Sequence, residues 1–128
     1  NGYTHAIWTG VTSLTLAKAI EIAAIEKVTG IYNLVNNTSI SKYDLLRIFN
    51  EKFKANQINI LPDDSVKVDK TLFNNRNDFS FIVPSYGQMI LEMKEWIYNH
   101  QNLYPHYFRA IERWKELPVI KLKLNRVE

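Results

Sequence analysis

Few residues in this chain have the type and spacing to do chemistry. The three histidines, His5, His100 and His106, lack both the i, i+4 spacing and the carboxylate companions of a metal site. Asp63, Asp64 and Asp69 could gather round a cation, but their spacing is not that of a calcium loop, and a solvated turn is the simpler account. Proton transfer coupled to hydride transfer calls for a tyrosine with a lysine one helical turn later, the ammonium lowering the phenol pKa. None of the seven tyrosines has that lysine; Tyr43 with Arg47 comes nearest, and both read as surface and boundary residues. No cysteine is present to serve as a thiol nucleophile or zinc ligand. The four glycines, Gly2, Gly10, Gly30 and Gly87, cannot make a G-x-G-x-x-G turn, so no pyrophosphate cradle is expected. Trp8, beside Thr9 and Gly10, could stack on a sugar or base, with core or interface packing as the competing role.

Helices and strands must position these groups. Thr12 or Ser13 can cap a helix whose apolar positions Leu16, Ala17, Ile20, Ala24 and Val28 recur at helical spacing until Gly30 stops it. Ile31 to Val35 then reads as a buried strand, and Asn36-Asn37-Thr38-Ser39 as a turn. Two glycosylation patterns overlap in that turn, but turn chemistry explains them better. Ser41 with Asp44 resembles a capping box, with Leu45, Ile48, Phe49 and Phe53 as the inward face of the helix it opens. A short strand is expected at Ile58 to Leu61, ending at Pro62, then a polar, irregular loop over Asp63 to Asp78, long enough to be mobile or to bind. Ser85 with Gln88 opens a helix with the stripe Met89, Ile90, Met93, Trp96 and Ile97. Pro105 suits the first turn of another, with Tyr107, Ile111 and Trp114 along one side. Ile120, Leu122 and Leu124 alternate with lysines as a strand with one wet face would. The pattern predicts an α/β fold: helices near 13 to 28, 41 to 54, 85 to 100 and 106 to 116 flanking a small, mostly parallel sheet.

The 128 residues, 46% hydrophobic and 23% charged, suit one globular unit. No apolar run approaches a membrane span and no export signal opens the chain, so no membrane partner is expected; the missing cysteines lean towards a reducing cytoplasm. The net charge of +3 lies wholly after Phe108, where six basic residues face three acidic ones, too thin a stripe for nucleic acid. The first residue is Asn1, not methionine, which points to an upstream portion.

Trp8-Thr9-Gly10-Val11-Thr12, then Leu16-Ala17-Lys18-Ala19-Ile20, Gly30 to Val35, and Ile40-Ser41-Lys42-Tyr43-Asp44-Leu45-Leu46 follow one another in an order that resembles the carboxy-terminal part of extended short-chain dehydrogenases. The likeness is greatest to nucleotide-sugar reductases of the dTDP-4-dehydrorhamnose reductase type and covers residues 1 to 108, with 109 to 128 as a basic extension. It implies a missing amino-terminal Rossmann domain that holds NADPH or NADH and the Tyr/Lys pair, leaving this chain with no cofactor site and no catalytic residue. The parent would reduce a 4-keto sugar nucleotide. Lys70 and Arg76 would lie near the substrate diphosphate, as point charge and forked donor, and Trp8 near the join of the halves. The departures are Thr15-Leu16-Ala17 where many relatives have Asp-Leu-Ala, and Asp69-Lys70 where many have Arg-Pro. An epimerase or dehydratase of the same superfamily is the nearest variant. A binding module built on the basic tail, with Trp114 and the Ile120 to Leu124 strand, is the alternative of another class. A surface cut from its Rossmann half leaves homodimerisation or strand exchange open.

Overall fold

A computed structural model describes residues 1 to 115. Its order is β1 (Gly2–Trp8), α1 (Ser13–Ile25), β2 (Ile40–Ser41), α2 (Lys42–Lys54), β3 (Pro62–Lys70), α3 (Tyr86–Asn99), two 3-10 turns (Gln101–Leu103 and Pro105–Tyr107) and α4 (Phe108–Lys115). The result is a small α/β domain with a three-stranded mixed sheet ordered β2-β1-β3. β1 pairs parallel with β3 from Gly2↔Pro62 to Trp8↔Lys70, and antiparallel with β2 at Ile7↔Ser41 and Trp8↔Ile40. The strand expected at Ile120 to Leu124, and most of the extension, lie outside the described residues.

The helix starts obey their capping residues. Thr12 Oγ1 accepts from the Thr15 amide at 3.2 Å, Ser41 Oγ from Asp44 at 3.0 Å and Ser85 Oγ from Gln88 at 3.3 Å. Each satisfies one of the amides that a first turn leaves orphaned. Neither expected capping box closes by its usual second bond. The Asp44 carboxylate takes the Ser41 hydroxyl, and the Gln88 amide donates along the helix to Glu92.

α1 stops at Ile25, short of Gly30. Lys27 adopts the left-handed conformation at φ 55°, and Val28 and Lys27 donate back to Ala23 and Ala24 as a Schellman end. Its orientation also departs from expectation. Thr15 and Ala19 are the buried positions, whereas Leu16 and Ile20 are 44% and 59% exposed. The apolar stripe thus points outwards.

Two expected strands are absent and one stands where a loop was expected. Ile31 to Val35 joins no ladder, because the Arg76 guanidinium takes the carbonyls of Thr29 and Ile31 and Val35 closes a local turn onto Asn33. Ile58 is excluded from a ladder because the buried Asn50 amide donates to its carbonyl at 2.7 Å and accepts from its N–H at 3.1 Å. The edge strand is Pro62–Lys70 instead, with Pro62 opening it rather than closing its predecessor.

The buried groups form two clusters at opposite ends of α3. Ile40, Tyr86 and Met89, with Trp8, Val11, Leu45 and Ile48 against them, lie near its start; Ile97, Ile111 and Trp114, with Phe53 and Met93, lie near its end. The α3 stripe packs as expected at Met89, Ile90 and Ile97, while Trp96 is 39% exposed and stacks on His100. α2 covers one face of β1 so closely that a Cβ on Gly2 would fall 2.8 Å from the Tyr43 Cα. On the other face of β1, Tyr3 and His5 are exposed. Among the described residues no helix is long and apolar enough to cross a membrane.

Lys94 is the unusual core residue. It is buried on α3, its ammonium donates to the Lys52 carbonyl at 2.5 Å, and it lies 5.5 Å from the Trp114 ring centre and 5.9 Å from that of Phe53. Burial, then the charge of Lys52, push its pKa below the ordinary lysine value. The unfolded chain therefore binds this proton more tightly, and stability rises with pH between the folded and unfolded pKa values. Lys94→Met should keep the fold within about 2 kcal/mol at neutral pH, since an apolar replacement removes the desolvation cost along with the hydrogen bond. Relative to wild type it should lose the gain in stability on going alkaline. Urea unfolding over a pH series checks this; parallel profiles for the two proteins would refute the assignment.

Candidate functional site

The carboxyl ends of the parallel strands β1 and β3 meet at Trp8 and Lys70, which are register partners. In open α/β sheets this end of the strands is where ligands gather. The chain then leaves β1 through Thr9 and Gly10 and leaves β3 through Thr71 and Leu72. A single hydroxyl ties the exits together: Thr9 Oγ1 donates to the Leu72 carbonyl at 3.1 Å and accepts from the Leu72 amide at 2.8 Å.

The Trp8 ring folds back over Gly10, where a Cβ would come within 1.8 Å of it, so glycine is required for close approach. Tyr86, from the first turn of α3, sits 6.3 Å from the indole, and its phenol donates to the Thr38 carbonyl at 2.7 Å. Burial raises the Tyr86 pKa, opposed by a hydrogen bond with the Gly10 backbone. A neutral phenol held this way braces the site; it is not poised to take a proton. The Lys42 ammonium lies 5.9 Å from the Trp8 ring centre, within cation–π range. Trp8 Nε1 is buried and, among the described residues, has no hydrogen-bond partner. The fold leaves this donor unused, which for a buried N–H is costly unless something else accepts from it.

Of the three residues singled out in the sequence, the structure brings together Trp8 and Lys70. The Lys70 side chain is exposed and makes no hydrogen bond or ion pair among the described residues. Arg76 is already committed. Its Nε and Nη2 fork onto Asp78 at 2.9 and 2.5 Å, its Nη1 bonds the carbonyls of Thr29 and Ile31 at 2.8 and 2.9 Å, and its guanidinium lies over Tyr32. Four of its five N–H groups are thus taken, the two on Asp78 fixing the guanidinium and the two on Nη1 holding the 71 to 84 segment to the 29 to 38 segment. Lys42 and Tyr86 were missed as members of the site. Ser41 and Ser85 mark both as first-turn residues of capped helices, but only tertiary packing shows that the two helix starts converge on one indole.

The other candidate groups are structural. Asp63 and Asp69 each accept from a hydroxyl and an amide two residues on, at Ser65 and Thr71, and these bonds hold both carboxyl pKa values below the usual range. The amides of Asn36 and Asn37, in the glycosylation patterns, bond Pro84 and Asn74. Tyr43 packs on Gly2 and under Arg47. No group of three metal-ligating side chains occurs among the described residues. A cleft of about 380 Å³ lined by Phe53, Lys54, Tyr107, Arg113 and Trp114 lies at the far end of α2 from Lys42.

Compared with family models, with curated proteins and with solved structures, the chain gives no match. Its site is therefore read from its own groups: an indole with a spare donor, two lysines and a braced phenol, a set that can stack a ring and hold an anion. The division of labour is testable. Arg76→Lys, which cannot fork or bridge two carbonyls, should lower stability measurably. Lys70→Ala should change it by less than about 0.5 kcal/mol. Urea unfolding distinguishes them, and equal effects would contradict the assignment.

Proposed function

We propose that this chain is the substrate-binding, carboxy-terminal part of an NAD(P)-dependent nucleotide-sugar reductase of the extended short-chain dehydrogenase type, acting on a 4-keto sugar nucleotide and inactive alone. The observation that carries this reading is the outward-facing apolar stripe of α1. A soluble helix buries such a stripe. Leu16 and Ile20 are instead exposed, and Ile25, Ile31 and Ile82 are 73%, 88% and 87% exposed. A parallel strand pair covered on one face asks for the same thing, since parallel sheets are normally covered on both. A Rossmann half supplies both covers.

The space beside Gly10 is filled by Trp8 and that beside Gly2 by Tyr43, so neither of these two glycines offers bare backbone to a pyrophosphate. NADPH or NADH, and the proton-relaying pair, are assigned to the other half. Within this chain Lys70 serves the substrate diphosphate, Trp8 its ring and the join, and Arg76 the segment that follows Lys70. An epimerase or dehydratase would use the same scaffold, since the other half decides the chemistry. The alternative of an interaction module displaying Trp114 has less to stand on, because Trp114 is 4% exposed and packed against Ile97, Ile111 and Phe53. A cytoplasmic setting goes with the cysteine-free composition.

The coding frame upstream should contain a glycine-rich turn and a Tyr-x-x-x-Lys pair. The joined protein should oxidise NADPH with a dTDP-4-keto-6-deoxy sugar while this chain alone does not. Lys70→Ala in the joined protein should raise KM about tenfold with kcat little changed. Turnover of the keto sugar without net NADPH consumption would favour the epimerase; an upstream frame lacking both motifs, or activity of the chain alone, would overturn the reading.

A further inference from the structure

β3 is an edge of the described sheet, and β1 is its ladder partner there. Every residue from Pro62 to Lys70 is exposed except Asp63, which is half-buried. Such an edge offers a row of free backbone N–H and C=O groups. The side chains alternate from Lys67 to Lys70, where Ala6↔Val68 and Trp8↔Lys70 place Val68 and Lys70 on the face that α2 covers. Between Tyr3↔Asp63 and His5↔Lys67 the register shifts by two residues on β3, an even number that returns Lys67 to the face of Asp63.

We propose that β3 pairs antiparallel with β3 of a second copy, about a two-fold axis through Lys67, joining two three-stranded sheets into one. The sequence of the strand comes closest to self-complementary in that register, where one like pair, Lys67 with its own copy, stands against two Asp64–Lys70 and two Val66–Val68 pairs. With the axis at Lys67, Asp64 faces Lys70 twice and Val66 faces Val68 twice on one side of the sheet. On the other side Ser65 faces Asp69, and each Lys67, opposite its own copy, is diagonal to Asp69 of the other. Opposite charges and β-branched pairs across strands are the stabilising unit of a sheet. An axis at Val66 sets Asp63 against Asp69; an axis at Val68 sets Val66 against Lys70 and Asp64 against Leu72. The register also gives partners to groups the single chain leaves alone: the side chains of Asp64, Lys67 and Lys70 make no hydrogen bond or ion pair among the described residues. Val66 and Val68, 36% and 39% exposed, become mutually covered. The occupant is thus a like chain, since an arbitrary peptide strand carries no such mirrored order of charge and valine.

This inference shares Lys70 with the nucleotide-sugar reading but does not depend on it, and it is measured with no nucleotide present. Sedimentation velocity of the chain, from micromolar to submillimolar concentration at low salt, should show a monomer–dimer equilibrium. Asp64→Lys and Lys70→Asp should each weaken the dimer about tenfold, because either one turns two attractive pairs into repulsive ones. The double exchange should restore it. Circular dichroism confirms that each variant is folded, and two independent single variants guard against one that is not. A wild type that stays monomeric throughout, single variants that dimerise unchanged, or a double exchange no better than the singles would each overturn the proposal. The second outcome would move the contact to the exposed stripe of α1.

Discussion

A long segment that runs extended without a neighbouring strand still has to satisfy its backbone, and here side chains do it. Between Thr71 and Ser85 the chain forms no ladder, yet its polar groups are met in sequence: Leu72 by Thr9, Phe73 by Asn33, Asn74 by Asn37, Pro84 by Asn36. Arg76 reverses the direction, reaching from the segment to the carbonyls of Thr29 and Ile31. Each bond alone contributes about 1 kcal/mol. Together they fix the path by which β3 leaves the sheet and α3 enters the core, and so the place of Tyr86 against Trp8. The asparagine-rich composition of residues 33 to 37 and 74 to 77 follows, since a side-chain amide can imitate the donor and acceptor of a backbone.

The same device limits the sheet. With Thr29 and Ile31 engaged by Arg76, and Ile58 engaged by Asn50, two stretches of strand-like composition stay out of the ladder. What remains is β1 between a two-residue strand and one nine-residue strand. A sheet this narrow depends on the helices for its burial. α2 provides it on one face through Gly2 and Ala6. α1 packs on α3 instead of on the other face, with its small residues Thr15 and Ala19 buried and its large ones facing outwards.

The helices were legible from local chemistry because a cap and a 3.6 period act within a few residues. Thr12, Ser41 and Ser85 open them as expected, and α2 and α3 agree with their expected spans to within a residue or so at each end. Strands were not legible, since a ladder depends on what lies alongside. Asp63, Asp64 and Asp69 made β3 look like a loop, yet Val66, Lys67 and Val68 alternate as an edge strand's residues should. Periodicity found the α1 stripe but not its direction; it reports that a face is apolar and is silent on which neighbour covers it. The candidate site suffered likewise. Trp8 and Lys70 are 62 residues apart in the chain and become neighbours through the β1–β3 register, while Arg76, chemically the better phosphate ligand, is spent on backbone carbonyls.

That distribution of cations has a physical logic. Guanidinium has the fork needed to bridge fixed acceptors, and it stands where two carbonyls and a carboxylate converge; ammonium is a mobile point charge, and lysines stand where the fold leaves open space. Lys42 and Lys70 flank the indole without being consumed by the scaffold, whereas Lys94, enclosed by Trp114, Phe53 and the Lys52 carbonyl, has become scaffold itself. Position relative to the two hydrophobic clusters therefore separates the structural cations from the available ones. Among the described residues, the one buried side-chain donor without a partner, Trp8 Nε1, lies at the available end. Rigid packing by Gly10 and Tyr86 on one side and unengaged lysines on the other give that end the two properties a binding site needs: a fixed shape and charge not yet neutralised.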